Sequence, residues 1–137
     1  MHQGIKTYAN LGNYTAASDA DPHTLITMLF DGALERIASA KGAMQAGDVA
    51  MKGLMISKAI TVVDGLRAHL DLEKGGEIAE NLRNLYDFAE NRLFEANFNN
   101  SAEMLDEVTQ IMLTLKEAWV GIKPKAEKPA AEESTYE

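Results

Sequence analysis

Between Pro22 and Ile122 apolar residues return every three or four positions in four consecutive stretches, and the breaks between stretches are short. Such a return puts the apolar side chains on one face of a helix, and that face has to be buried against something. Connections of about two to five residues leave each helix little route except back along its predecessor. The pattern therefore predicts an all-α fold, an antiparallel up-down four-helix bundle.

Local signals set the expected boundaries. Asp21 offers an N-cap acceptor and Pro22 a first helical residue whose missing N–H costs nothing. Ile26, Leu29, Phe30, Ala33, Ile37, Ala40 and Met44 then follow at helical spacing, and Gly47-Asp48 reads as a helix end beside the next N-cap. The first helix is expected over roughly 22–46. Val49, Gly53, Ile56, Ile60, Val63, Leu66 and Leu70 carry a second until Lys74-Gly75-Gly76 interrupts it, and that glycine pair is expected to be a loop. Glu77 suits the positive end of a third helix, whose stripe Ile78, Leu82, Leu85, Ala89, Leu93 and Ala96 stops at Asn97 to Asn100. Asn100 with Glu103 resembles a capping box for the fourth, which runs through Leu105, Val108, Met112, Leu115, Trp119 and Ile122 to Gly121 and Pro124. Residues 1–20 show no period and read as an N-terminal arm. Residues 123–137, rich in Lys, Glu, Pro and Ala, have little to bury and read as a disordered tail, leaving 21–122 as the bundle domain.

Composition removes several function classes. With 13 Lys and Arg against 21 Asp and Glu, the formal charge of −8 repels phosphate backbones and anionic lipid, so neither nucleic acid nor membrane insertion is an expected partner. The chain has no cysteine, which excludes disulfides, thiolate nucleophiles and cysteine-ligated metals. The N-terminal residues lack the apolar core of a secretory signal, and a cytoplasmic location is expected. Di-iron bundles need Glu-x-x-His pairs, but Leu66 stands three before His69 and Ala20 three before His23. No Gly-Lys-Ser/Thr follows Gly75-Gly76, and the carboxylates Glu77, Glu80, Asp87, Glu90, Glu95, Glu103, Asp106 and Glu107 read as a solvated acidic face. No catalytic residue, metal or cofactor is assigned.

Three features point instead to binding. Gly32, Gly42, Gly53 and Gly65 lie inside the first two helices, each costing about 0.8–1 kcal/mol relative to Ala, and serve either close helix approach or surface grooves. Met28, Met44, Met51, Met55, Met104 and Met112 suit either an irregular core or an adaptable helix-binding surface. Leu54, Met55 and Val62 on the second helix, with Tyr86, Phe88 and Phe94 on the third, exceed what one buried stripe uses. The surplus can be covered by the arm, by a second copy, or by another chain presenting amphipathic helices. A self-associating bundle and a metal or small-ligand bundle protein are the alternatives to a binding module.

The run Asp31-Gly32-Ala33-Leu34, then Gly47-Asp48, Ser57-Lys58-Ala59-Ile60, Asp64-Gly65-Leu66 and above all Leu72-Glu73-Lys74-Gly75-Gly76-Glu77-Ile78-Ala79 with Leu85-Tyr86-Asp87-Phe88 closely resembles the flagellar secretion chaperone FliS family, from about Gly4 to Ile122. The resemblance implies a four-helix bundle that binds the disordered C-terminal region of flagellin on its apolar surface. It implies that binding prevents premature polymerisation and helps deliver flagellin to the type III export gate. Ile5 and Tyr8 resemble an N-terminal element implicated in docking on the gate protein FlhA, in an arm that also covers the client groove. Apolar surplus and resemblance together nominate Leu54, Ile60, Val62, Leu66, Tyr86, Phe88 and Leu93 as groove residues. Ala89 stands where the family commonly has a longer apolar residue and Asn91 where it commonly has a basic one, which implies a shallower, less cationic groove.

Overall fold

A computed structural model describes residues 21–122, in which four helices and no strand occur: α1 Pro22–Ala46, α2 Val49–Ala68, α3 Leu72–Asn99 and α4 Ala102–Gly121. The expected arm and tail, with Ile5 and Tyr8, lie outside the described residues. Two compact units divide the chain. Residues 28–115 form one, and the other includes 21–27 and 116–122.

In the smaller unit the start of α1 and the end of α4 are joined through His23 and Trp119. Their rings stack at 4.8 Å between centroids, Trp119 Nε1 donates to the His23 carbonyl at 3.0 Å, and His23 Nε2 lies 2.9 Å from the Trp119 carbonyl. Asp21 caps α1 as its sequence position predicts, accepting from the Thr24 N–H at 2.7 Å. Hydrogen bonds from the Thr24 N–H and from the Thr24 side chain hold the Asp21 carboxyl below its ordinary range.

The larger unit is built on alanine. Ala33, Ala40, Ala59, Ala89 and Ala96 have no exposed surface, and around them pack Phe30, Ile37, Ile56, Val63, Leu66, Leu93, Leu105, Val108 and Met112. All four helices contribute to this core. Ala89 is therefore a packing residue at full burial, so its smallness lets helices approach and does not shape a surface groove. Polar ties reinforce the pairs. Lys41 near the end of α1 bonds Asp106 near the start of α4 at 2.9 Å, and Arg92 late in α3 reaches Glu107 early in α4 at 2.8 Å. Lys52 is 8% exposed, and its Nζ donates to the Asn97 carbonyl at 3.1 Å and to Asn100 Oδ1 at 3.0 Å. A lysine there meets the carbonyls and the negative dipole end of α3.

The boundaries depart from expectation at two places. Helix α2 ends at Ala68 with His69 as its C-cap, and Asp71 starts α3 by accepting from the Lys74 N–H at 3.0 Å. The glycine pair is thus a break inside α3 and not a loop before it: Gly76 has φ 55° and ψ −134°, a conformation only glycine adopts readily. Its neighbour is fixed by space, because a Cβ on Gly75 would lie 2.5 Å from the Ala79 Cβ. At the other end of α3, Asn100 takes the left-handed conformation that ends that helix (φ 53°, ψ 49°). The side-chain cap of α4 is then Ser101, whose Oγ accepts from the Met104 N–H at 3.1 Å. The sequence pattern missed this because asparagine and serine both suit caps, and only the αL turn decides which helix each serves.

The helix-interior glycines are not crowded. An added Cβ on Gly32 or Gly65 would make ordinary contact at 3.9 Å to Val62 or 3.8 Å to Leu29, and on Gly42 or Gly53 it would meet nothing within 4 Å. Close helix approach belongs to the alanines. Accordingly Gly53→Ala is expected to raise stability by about 0.4–1 kcal/mol, Gly76→Ala to lower it by about 1–3 kcal/mol through backbone strain, and Ala89→Leu to lower it by about 1–3 kcal/mol through overpacking. Chemical denaturation of the three variants checks this; equal effects at residues 53 and 76 would contradict the geometry.

Candidate functional site

An alanine core leaves large apolar side chains outside. In the larger unit Val49 (72% exposed), Leu54, Ile78, Phe88, Phe94 and Phe98 (90% exposed) all face solvent. Several fall into rows. Residues 49, 53, 60 and 67 of α2 are spaced by four and seven, hence on one side of that helix, as are 87, 94 and 98 of α3. Arg67 is ion-paired to Asp87, which joins the two rows along the α2–α3 seam. On the opposite flank of α3, Phe88 lies under the Arg92 guanidinium, 5.4 Å from the ring centroid, and Arg92 in turn meets Glu107 of α4. Helix α3 thus carries exposed aromatic rings on both flanks, Phe94 and Phe98 toward α2 and Phe88 toward α4.

The nominated groove residues separate by burial. Leu54 and Phe88 are exposed and Ile60 and Val62 half-buried, whereas Leu66, Tyr86 and Leu93 lie in the core at 2%, 4% and 0% exposure. Ile60 belongs to the α2–α3 row, Val62 faces α1 near Gly32, and Phe88 lies on the α4 side of α3, so the seven do not converge on one pocket. Burial pushes the Tyr86 phenol up to about 12, so it stays neutral. Val49, read as part of the second helix's apolar stripe, is exposed because it stands in the first turn of α2, and Phe98 escaped the reading of the sequence. The signal was present in the Phe94 and Phe98 pair, two aromatics four apart and off the buried stripe.

Charge is concentrated on the α2–α3 seam. Arg67 Nη2 contacts Asp64 at 2.7 Å and lies 3.8 Å from Glu90 Oε2, while Nη1 bonds Asp87. One guanidinium therefore serves three carboxyl groups, and Glu90 Oε2 is buried without a hydrogen-bond partner. Burial first, then the neighbouring Asp64 carboxylate, push the Glu90 carboxyl up to about 7, while the hydrogen bond from Glu90 and the Arg67 contact hold Asp64 below its ordinary range. Those same contacts raise the Arg67 guanidinium further. The folded chain thus keeps a proton on Glu90 that the unfolded chain, with an ordinary value of 4.5, releases. Folding stability accordingly falls as pH rises from about 4.5 to about 7 through this group. Thermal melts across that range are expected to show the decline, and Glu90→Gln to flatten it; an unchanged slope in the variant would contradict the assignment.

Among the described residues no group of three or more His, Cys, Asp or Glu could hold a metal ion, and no helix is long and apolar enough to cross a membrane. His69 bonds the Gly65 carbonyl through Nδ1 at 2.8 Å, and His23 is taken up by Trp119. What the surface offers is apolar strip and charge along helices, suited to another polypeptide.

Comparison with known proteins agrees in kind. Residues 4–126 match the family model described as flagellar protein FliS. The chain is 48% identical over 124 residues to the flagellar secretion chaperone FliS of Salmonella typhimurium, covering 90% of this chain and 92% of that protein. It is 45% identical over 120 residues to the flagellar secretion chaperone FliSB of Pseudomonas aeruginosa, covering 88% and 95%. With the FliS of Vibrio cholerae the figure is 39% over 125 residues. The match spans all four helices, and the chain belongs to the flagellar protein FliS family.

Proposed function

We propose that this protein is a non-enzymatic flagellar export chaperone of the cytoplasm, that its client is the disordered C-terminal region of flagellin, and that the client lies as short helices on the apolar strips flanking α3. The observation that supports the reading is the pairing of an alanine core with exposed Phe88, Phe94, Phe98, Val49 and Leu54, in a chain whose relatives are named as flagellar secretion chaperones. A disordered segment that folds on binding covers a large surface yet remains releasable, as passage through a narrow export channel requires.

In this reading Leu54, Ile60, Val62 and Phe88 touch the client directly. The buried Leu66, Tyr86 and Leu93 hold the helices that carry those contacts. Covering the strips keeps flagellin from assembling early. Ile5 and Tyr8, outside the described residues, dock the loaded chaperone on the gate protein FlhA and in the free protein cover part of the client surface. A homodimer through the same strips is the competing use of this surface.

Calorimetric titration with the last 40 or so residues of the cognate flagellin is expected to give saturable heat and a stoichiometric complex. Absence of heat would end the reading, and a dimer by light scattering that the fragment leaves intact would favour self-association. Phe88→Asp is expected to weaken binding by about tenfold or more. Tyr8→Ala should leave it intact while reducing flagellin in the culture medium; both variants behaving like the parent would contradict the assigned roles.

A further inference from the structure

The α2–α3 seam interleaves apolar and anionic groups. Along its α2 side stand Val49, Gly53, Ile60 and Arg67, with Asp64 beside them, and along its α3 side Asp87, Phe94 and Phe98. Phe94 and Phe98 are 60% and 90% exposed. The Asp64 and Asp87 side chains remain 50% and 43% exposed although both contact Arg67. An occupant of the seam therefore meets apolar surface around Ile60 and Phe94 and, within the same stretch, two half-exposed carboxylates that share a single guanidinium.

We infer that the α2–α3 seam takes an amphipathic helical segment bearing a basic residue, Lys or Arg, whose cation sits against Asp64 and Asp87 while its apolar neighbours on the segment cover Ile60 and Phe94. This rests on the proposed chaperone function for the source of the segment, but the chemistry of the occupant follows from charge complementarity at the seam. An acidic residue there meets unbalanced like charge. A neutral one leaves the excess negative charge of Asp64 and Asp87 over Arg67 uncompensated. A long basic side chain also lays its methylenes on the exposed Phe94 ring while its head reaches the carboxylates.

The seam carries its own reporter. The charged groups bearing on Glu90 are Asp64 and Arg67 from α2 and Asp87 from its own helix, and its Oε2 has no hydrogen-bond partner. A second cation beside this group favours its ionised form, so seating the basic residue expels the proton that Glu90 retains near neutral pH.

Two model helical peptides separate this proposal from the function it rests on. Both carry leucines at i, i+4, i+7 and i+11, with a single Lys or a single Glu on the flank between them, and both are titrated calorimetrically into the full chain. The Lys peptide is expected to bind about tenfold or more tightly than the Glu peptide, with an advantage that shrinks as salt rises. Its binding should release up to about half a proton near pH 7, read from buffers of different ionisation enthalpy. Asp64→Asn with Asp87→Asn should abolish the preference, and Glu90→Gln should abolish the proton release while retaining the preference. Equal binding of the two peptides, or no binding of either, would overturn the proposal. Titration with the flagellin fragment runs in parallel: heat there together with indifference to Lys or Glu leaves the chaperone reading standing and removes this one, and a Lys preference without heat from the fragment does the reverse.

Discussion

Helices in this protein meet on alanine, and most of the remaining structure follows from that. Side chains such as Ala33, Ala59, Ala89 and Ala96, with no exposed surface, let the backbones approach closely and make a thin core. A thin core has no room for every large apolar residue that the sequence carries. Phe94, Phe98 and Val49 are consequently left outside, at a cost in solvation that a domain optimised only for its own stability would avoid. The surplus is a property of the packing and not of composition alone.

The charged groups fall into two kinds. Lys52, buried against Asn97 and Asn100, and Lys41 and Arg92, which reach Asp106 and Glu107, tie helix ends and flanks together. The Asp64, Arg67, Asp87 and Glu90 group is different, because its charges do not balance: one guanidinium faces three carboxyl groups. In the proposal made above, the excess negative charge at this apolar seam is half of an interaction completed by another molecule.

Much of the fold was legible in the sequence. The three-to-four residue period located all four helices, and Asp21, Asp48 and Gly47 marked boundaries as their chemistry predicts. Misplaced boundaries came where two residues compete for one role. Asn100 and Ser101 both suit a cap, and the glycine pair at Gly75-Gly76 looks like a loop when Asp71 has already started a helix. The surface was harder to read, because a wide apolar stripe does not reveal how close the neighbouring helices come. Tyr86 looked like surplus and is core, Leu93 was nominated for the groove although it stands on the buried stripe and is core, and Phe98 looked like the end of a helix and is the most exposed large apolar side chain described.

Whether the apolar residues left outside the core are the ones another chain covers can be measured directly on the four phenylalanines. Phe30 is buried at 3% exposure, and Phe88, Phe94 and Phe98 are exposed at 46%, 60% and 90%. Fluorine NMR of the protein labelled with fluorophenylalanine, with single Phe→Leu variants to assign the signals, follows each ring on addition of the flagellin C-terminal fragment. The three exposed rings are expected to shift and lose solvent-induced effects while Phe30 stays in place. A complex that leaves all three exposed resonances unmoved would contradict it.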